Sequence, residues 1–491
     1  MTYPEKLKRW MTLANRNAER LSVWVCFLTA LLTTFALYPG WLFFDSAQQW
    51  GWARQFANGG WPSSLKSYQI TNHWPIFNTI IKVPFYQLTH ETGFYILVQA
   101  FLFNLSLYFV GRALIGRQTL WLLVFTIVMV VSPISLNMAV FHSSDTIVAF
   151  CALVMLAMLV DDQVRPWQRA LWIGVAAVVM SLVRYNALTA AVPLVILFYW
   201  AIRDKWSRAQ SKWAIIGILL ATVLGVIAAR SYEHTAYRRP SVVEGPMLRM
   251  LEASRLTSDP AIHAVVDPRI KINPRLRQPL GPDCYIYGYW CAQIGGPWEG
   301  LSTHVVMRTY LHFMVHHPWT FLRVNSHFAW YAMGLGAPLQ ARQLGRTDIF
   351  EPFPAARMVF NHRRFAMLSA FRGTLDLFDG LASRAYIIFL AGLVAAALLR
   401  RRWIFIGYLV LSIGYSVPII LLASDTIFRY MFPVIMPGMA IFVAGCCVLL
   451  QKGSREVHAR ALTDGTWQAL TVAHNRLTQP FRLFRSRRRG P

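Results

Sequence analysis

Residues 21–49 read LSVWVCFLTALLTTFALYPGWLFFDSAQQ, an apolar run that ends at the acidic Asp45. The run exceeds the roughly 20 residues that a helix needs to cross a bilayer core of about 30 Å. Five basic residues precede it, namely Lys6, Lys8, Arg9, Arg16 and Arg20. Because the run is too long for the apolar part of a cleaved signal peptide, the sequence predicts a helix that stays in the membrane as an anchor. Asp45 would then lie where this helix ends.

The composition of the whole chain is that of a membrane protein. Of its 491 residues, 56% are hydrophobic and 14% are charged, with a mean hydropathy of +0.40. A soluble protein would carry about a quarter charged residues. The apolar residues fall in continuous blocks and do not alternate with polar ones, which favours helices over a membrane barrel. The sequence therefore predicts an all-α polytopic membrane protein.

Ten apolar blocks are long enough to be considered as spans. They cover about 21–43, 92–111, 119–138, 144–160, 169–183, 186–202, 213–229, 384–399, 403–423 and 427–450. We divide the chain accordingly into a basic N-terminus (1–20), an N-terminal transmembrane region (21–229) with a first outer loop (44–91), a large outer loop (230–383), C-terminal transmembrane helices (384–450) and a basic tail (451–491).

The formal net charge of +26 is concentrated in short loops and in the tail. Basic residues favour the cytoplasmic side of a membrane. With the N-terminus placed in the cytoplasm, the richly basic loops and the tail all fall inside. This distribution predicts that both termini lie in the cytoplasm, and it indicates no nucleic-acid partner. We expect the membrane to be the plasma (inner) membrane.

The large outer loop has two kinds of sequence. Asp267-Pro268 and the run 278–282 predict irregular loop, whereas aromatic-rich stretches around 303–317 and 319–335 predict helices at the membrane surface. Cys284 and Cys291 in this loop could pair if it faces an oxidising compartment, or they could remain thiols. The tail is expected to rest on anionic lipid.

Several polar residues fall on the predicted outer face. They are Asp45, His73, Asp145, Arg184, Asn186, Asp425, Arg429 and Tyr430. Each has an ordinary explanation, because Asp145 and Asp425 could cap helices, the arginines could reach the interface, and His73 could be a plain interfacial residue. Together they suit an anionic lipid headgroup, since arginines bind phosphate and a carboxylate can act as a base.

Five fragments of the chain resemble the GT-C superfamily of polytopic glycosyltransferases, in particular its protein mannosyltransferase and aminoarabinose transferase group. The fragments are Phe44–Gln49 with a helix continuing to Ala57, Asn72–Thr79, Ser144–Ile147, Arg184–Ala187 and Phe428–Pro433. The chain departs from many relatives at Ser46, where they have a second acidic residue, and at Trp74, where they have a second His.

The resemblance implies transfer of a sugar, with inversion, from a polyprenyl-phosphate donor to a glycan, lipid or protein acceptor outside the cytoplasm. It implies that Asp45 is the general base. His73, Asp145, Arg184, Asn186, Arg429 and Tyr430 would bind substrate. No cofactor is required. A divalent metal ion could bind but is not indicated, and Ser46 argues against tight metal binding at Asp45.

Other interpretations stay open. The spacing of His312 and His316 could serve a metal ion, but an interfacial helix rich in histidine is the better explanation because no acidic or thiolate partner stands at matching spacing. A lipid-linked oligosaccharide flippase or other transporter would place charges at midspan and break its helices. An O-antigen polymerase or ligase would rely mainly on arginines in two outer loops, and a scaffolding protein would not need the outer polar cluster.

Overall fold

The computed structural model describes residues 3–36, 44–59, 75–117, 119–203, 206, 208–236, 244–272, 301–333, 335, 384–423 and 428–463. All elements within these ranges are helices. They are α1 (Tyr3–Ala36), α2 (Phe44–Ala57), α3 (Phe77–Ile80), α4 (Val83–Thr89), α5 (Thr92–Ile115), α6 (Leu120–Val131), α7 (Pro133–Ala139), α8 (Ser144–Val160), α9 (Pro166–Val183), α10 (Leu188–Ile202), α11 (Arg208–Ala236), α12 (Glu244–Ala253), α13 (Pro260–Ile272), α14 (Thr303–His316), α15 (Pro318–Ala332), α16 (Ala385–Leu398), α17 (Arg402–Leu422) and α18 (Phe428–Thr463).

Seven of these helices are long and apolar enough to cross a membrane: α1, α5, α9, α10 with the turn before it, α11, α17 and α18. Each of the ten expected spans coincides with helical residues, but α8 and α16 have only 17 and 14 residues. At 1.5 Å per residue, α16 covers about 21 Å, which is less than the core of a bilayer. The described helices show a multi-pass helical membrane protein, and the count of ten spans remains a prediction.

The expected span 119–138 is two helices and not one. The helices α6 and α7 meet at an angle of 64°. Ser132 between them has an extended ψ of 137°, and its side chain caps α7 by accepting from Ser135 N. Pro133 explains the break, because the residue before a proline is forced out of the helical conformation. Counted as one bent span, the pair raises the number of membrane-crossing segments to eight.

The helix α8 forms the centre of the bundle. Every residue from Asp145 to Val160 except Phe150 is buried, and α8 contacts α5, α9, α17 and α18. A helix that is apolar on all sides is expected in a core. By contrast, α9 and α11 expose large apolar side chains such as Trp172 and Leu224, as helices facing lipid would. The polar residues at the two ends of α8 are therefore held by a rigid, buried element.

Three short helices, α2, α3 and α4, pack together beside the bundle in the expected first outer loop. The helix α2 confirms the predicted helix after Asp45. Gln49, Trp52 and Ala53 are buried on it. This packing brings polar residues of the first loop against the start of α8.

Helices α12 to α15 build a second apolar core, which includes Leu251, Val266, Phe313 and Phe328. The helices expected around 303–317 and 319–335 are confirmed as α14 and α15. The expectation of irregular loop at Asp267-Pro268 is wrong, because both residues lie inside α13. A proline there removes one backbone hydrogen bond, and burial of Ile262, Val265 and Val266 offsets that loss. Residues 278–282, Cys284 and Cys291 lie outside the described residues.

Arg249 on α12 joins this second core to the bundle. Its guanidinium is fully buried. It donates hydrogen bonds to Asn325 Oδ1 at 2.9 Å, to the carbonyl oxygen of Ala423 at 2.9 Å and to the carbonyl oxygen of Ile420. Burial lowers the pKa of Arg249 to about 10, so it stays charged at neutral pH. The last carbonyl groups of a helix have no hydrogen-bond partner within it. Arg249 donates hydrogen bonds to two such carbonyl oxygens at the end of α17.

Candidate functional site

Asp145 lies at the start of α8 with a side chain that is 1% exposed. From the sequence we expected that Asp145 could cap α8, but in the structure the cap is a different residue. Ser143 is the N-cap, accepting from Asp145 N at 3.1 Å, and its hydroxyl lies 3.1 Å from Asp145 Oδ2. The carboxylate is therefore available for other partners while it benefits from the positive end of the helix dipole.

Arg184 is the partner of this carboxylate. Its backbone is extended, with φ −148° and ψ 109°, which ends α9 before the short 3-10 turn Tyr185–Ala187. The Nε atom lies 3.0 Å from Asp145 Oδ1, and the guanidinium carbon lies 4.6 Å from the centre of the Tyr430 ring. The Arg184 side chain is 19% exposed, so the pair is accessible from the arginine side.

Tyr415 is a member of the site that the sequence did not reveal. Its buried hydroxyl donates to Asp145 Oδ1 at 3.4 Å. The neighbouring Gly414 lets α17 approach the start of α10, since a Cβ there would lie 2.6 Å from the carbonyl oxygen of Thr189. In the sequence, Tyr415 looks like an ordinary aromatic of an apolar span. We call Asp145, Arg184, Tyr415 and Tyr430 the acid–arginine cluster.

A second polar group, which we call the lysine cluster, lies among the first-loop helices and comprises Gln49, Asn78, Lys82 and His142. Lys82 is fully buried; its Nζ donates to Gln49 Oε1, and to Asn78 Oδ1 at 3.3 Å. Asn78 Nδ2 donates to Gln49 Oε1 at 2.8 Å. Burial holds the pKa of Lys82 well below its usual value. A buried amine whose hydrogen bonds among the described residues go only to amide oxygens is costly, and nothing in the sequence around Lys82 marks it as buried.

His142 joins the two clusters. Its ring lies edge-on to Tyr95 at 4.8 Å and to Trp50 of α2 at 5.9 Å. Burial lowers its pKa well below the usual value, and the charge of Lys82 lowers it further. Because His142 and Asp145 are close in the chain, the segment between them places the acid–arginine cluster beside the first-loop helices.

The remaining predicted residues are placed only in part. Asp45 lies in the first turn of α2, one turn before Gln49, so both positions share a face of that helix. The side chain of Asp45 is outside the described part of the structure.

Asn186 lies in the turn after Arg184, and its carbonyl oxygen accepts a hydrogen bond from Thr189 Oγ1 at 2.6 Å. Arg429 begins α18 next to Tyr430, but its side chain is not described. His73 and Asp425 lie outside the described residues.

His312 of α14 and His317 just after that helix share an acidic partner, which was not expected from the sequence at such spacing. Asp259 Oδ2 lies 2.9 Å from His312 Nε2 and 2.7 Å from His317 Nε2, while the rings of His312 and His316 stack at 4.0 Å. Within the described residues, no group of three or more His, Cys, Asp or Glu side chains has the geometry of a metal site. The contacts found are hydrogen bonds that tie α14 to the start of α13.

No protein-family model matches this chain, and a search of curated proteins finds no match either.

Proposed function

We propose that the chain is a membrane glycosyltransferase that moves a sugar from a polyprenyl-phosphate donor to an acceptor outside the cytoplasm. The observation that best supports this proposal is the buried pair of Asp145 and Arg184, with Tyr415 and Tyr430 around it, next to the helix that carries Asp45. Replacing a buried ion pair by apolar residues of similar volume is often neutral or stabilising. Stability alone therefore gives no reason for this pair.

In the proposed reaction Asp45 removes the proton from an acceptor hydroxyl, whose oxygen then attacks the anomeric carbon of the sugar. The bond between that carbon and the phosphate oxygen breaks, the polyprenyl phosphate leaves, and the configuration inverts. Arg184 and Arg429 stabilise the charge that grows on the phosphate. Asp145 and Tyr415 orient Arg184, while Asn186, His73 and Tyr430 contribute hydrogen bonds to sugar or phosphate.

Lys82 is hydrogen-bonded to Gln49 of α2 and to Asn78 of α3. Its hydrogen bond to Gln49 ties it to the face of α2 on which Asp45 also lies. We therefore assign Lys82 the role of a positioning residue that keeps the helix of Asp45 in place.

The test is transfer by the purified protein in liposomes, with a panel of polyprenyl-phosphate sugars and candidate acceptors. Asp45→Asn should abolish transfer while expression and monodispersity survive. Asp162→Asn, which removes an exposed carboxylate at the far end of α8, is the control and should keep transfer. Near-normal turnover by Asp45→Asn would refute the assignment of the base.

A transporter of lipid-linked sugars is the second candidate, because the 64° bend between α6 and α7 resembles the broken helices of transporters. The same liposomes separate the two functions. A transporter moves a labelled lipid-linked sugar across the bilayer unchanged, whereas a transferase releases polyprenyl phosphate and increases the mass of the acceptor.

A further inference from the structure

A cavity of about 320 Å³ lies at the opposite end of α8 from Asp145. It is enclosed by the end of α5, the segment after α8 and the start of α9, and its polar lining includes Arg112, Arg117 and Arg165. The 17 residues of α8 span about 25 Å, so the cavity is separate from the acid–arginine cluster. On the predicted topology it faces the cytoplasmic leaflet.

The lining of this cavity is positively charged. Arg112 is held by Asp161, whose Oδ2 accepts from Arg112 Nε at 3.0 Å and from Nη2 at 2.7 Å. Arg117 comes no closer than 4.0 Å to Glu19, and Arg165 is exposed. No carboxylate among the described residues lines the cavity. Arg112 is thus neutralised and rigid, while Arg117 and Arg165 supply charge for an anion.

The start of α9 adds to this preference. Arg165 is its N-cap, Pro166 occupies the first turn, and no side chain caps the helix. The unsatisfied N–H groups and the dipole at a helix N-terminus favour an anion. Gln168 of the same turn also lines the cavity and can donate hydrogen bonds from its amide.

The other wall of the cavity is apolar and continues onto the lipid-facing surface. Phe109 and Trp172 line it, with ring centres 6.4 Å apart. Trp172 is 47% exposed, and Trp167 and Leu171 beside it are 52% and 56% exposed. Tryptophan favours the region of lipid headgroups. An occupant with a phosphate and an acyl chain would satisfy both walls.

We propose that this cavity binds the phosphate headgroup of an anionic phospholipid, with the acyl chains along α9. Basic pockets between membrane helices suit such headgroups. The proposal does not depend on the proposed transferase activity, because it concerns the other end of the bundle.

Native mass spectrometry of the protein with phosphatidylglycerol or phosphatidylcholine tests this inference. The wild type should retain phosphatidylglycerol selectively, and Arg117→Gln/Arg165→Gln should bind it about 30-fold more weakly, since each arginine near an anionic headgroup contributes a factor of about five. Arg401→Gln/Arg402→Gln removes the same charge from exposed positions at the start of α17 and should leave the selectivity unchanged.

Equal retention by the cavity variant and the wild type would overturn the proposal. A second outcome would also overturn the proposal: millimolar inorganic phosphate displaces phosphatidylglycerol, and phosphate is then found bound to the lipid-free protein. That outcome would show that the cavity is a site for free phosphate. If the cavity variant fails to fold, brominated lipids provide a second test on the wild type and Trp172→Phe. The fluorescence that Trp172 contributes should be quenched more by brominated phosphatidylglycerol than by brominated phosphatidylcholine, and equal quenching contradicts the proposal.

Discussion

The Nε atom of Arg184 lies 3.0 Å from Oδ1 of Asp145, although nearly all of α8 and the whole of α9 separate the two residues in the chain. The carboxylate is almost completely buried and the guanidinium is largely so. In such surroundings each charge depends on the other, because an unpaired buried charge is far more costly than a paired one.

Asp145→Asn and Arg184→Gln should therefore each lower the free energy of unfolding by about 3 kcal/mol. The double variant should lose much less than the sum, since neither buried charge is then left alone. Unfolding in mixed micelles, measured for the complete cycle of four proteins, gives the coupling energy. Additive losses would show that the pair does not act as a unit.

Tyr415→Phe removes one hydroxyl that donates to Asp145 and should cost about 1 kcal/mol of stability. If the proposed function holds, transfer should also fall, because Arg184 is held less firmly. Tyr408→Phe is the matched control on the same helix, since its hydroxyl donates to the carbonyl oxygen of Val434 at 3.2 Å. It should cost similar stability and leave transfer unchanged; equal losses of activity in both variants would contradict the role of Tyr415.

Lys82→Met should change how stability depends on pH. The pKa of Lys82 is lowered in the folded chain, so the unfolded chain binds the proton more tightly. The free energy of unfolding of the wild type should thus rise with pH from the lowered pKa up to the ordinary lysine value of about 10.4. The variant should lack the part of this rise that lies just below pH 10. Lys212→Met, at an exposed position of α11, should keep it, and parallel curves for the wild type and Lys82→Met would contradict the prediction.

Asp259→Asn should loosen the contact between α13 and α14. Burial opposes ionisation of Asp259, but hydrogen bonds from Ala261 N, His317 and His312 outweigh it and lower its pKa to about 2. Its charge therefore stabilises the fold above the ordinary pKa of about 4 and ceases to do so as pH falls through about 2.

Hydrogen exchange in α13 and α14 at pH 5 to 7 should become faster in Asp259→Asn. Because Asn is as good a helix cap as Asp, the bond to Ala261 N survives and the change isolates the charge. Asp267→Asn is the control, since Asp267 is 49% exposed beside His263. Unchanged protection in Asp259→Asn would show that the charge of Asp259 does not stabilise the contact between α13 and α14.

The candidate site was only partly predictable. Asp145, Arg184 and Tyr430 were expected on one face because charged residues at the ends of apolar blocks are conspicuous, and the structure brings these three together. Tyr415 and Lys82 gave no such signal, since a tyrosine within an apolar span and a lysine in a loop are common. The functional roles of all the predicted site residues stay predictions, and the side chains of Asp45, His73 and Arg429 also lie outside the described residues.

The amino-acid sequence by itself determined the helical membrane class and the positions of the apolar helices, because long apolar blocks and the need to satisfy backbone groups in lipid are local properties. It also determined α14 and α15, whose aromatic content was visible. Only the tertiary structure decided that Pro268 lies in a helix, that Lys82 is buried and that Tyr415 meets Asp145. Each of these depends on which distant side chains pack against the segment, and the free energy of that packing can exceed the preference of any short stretch.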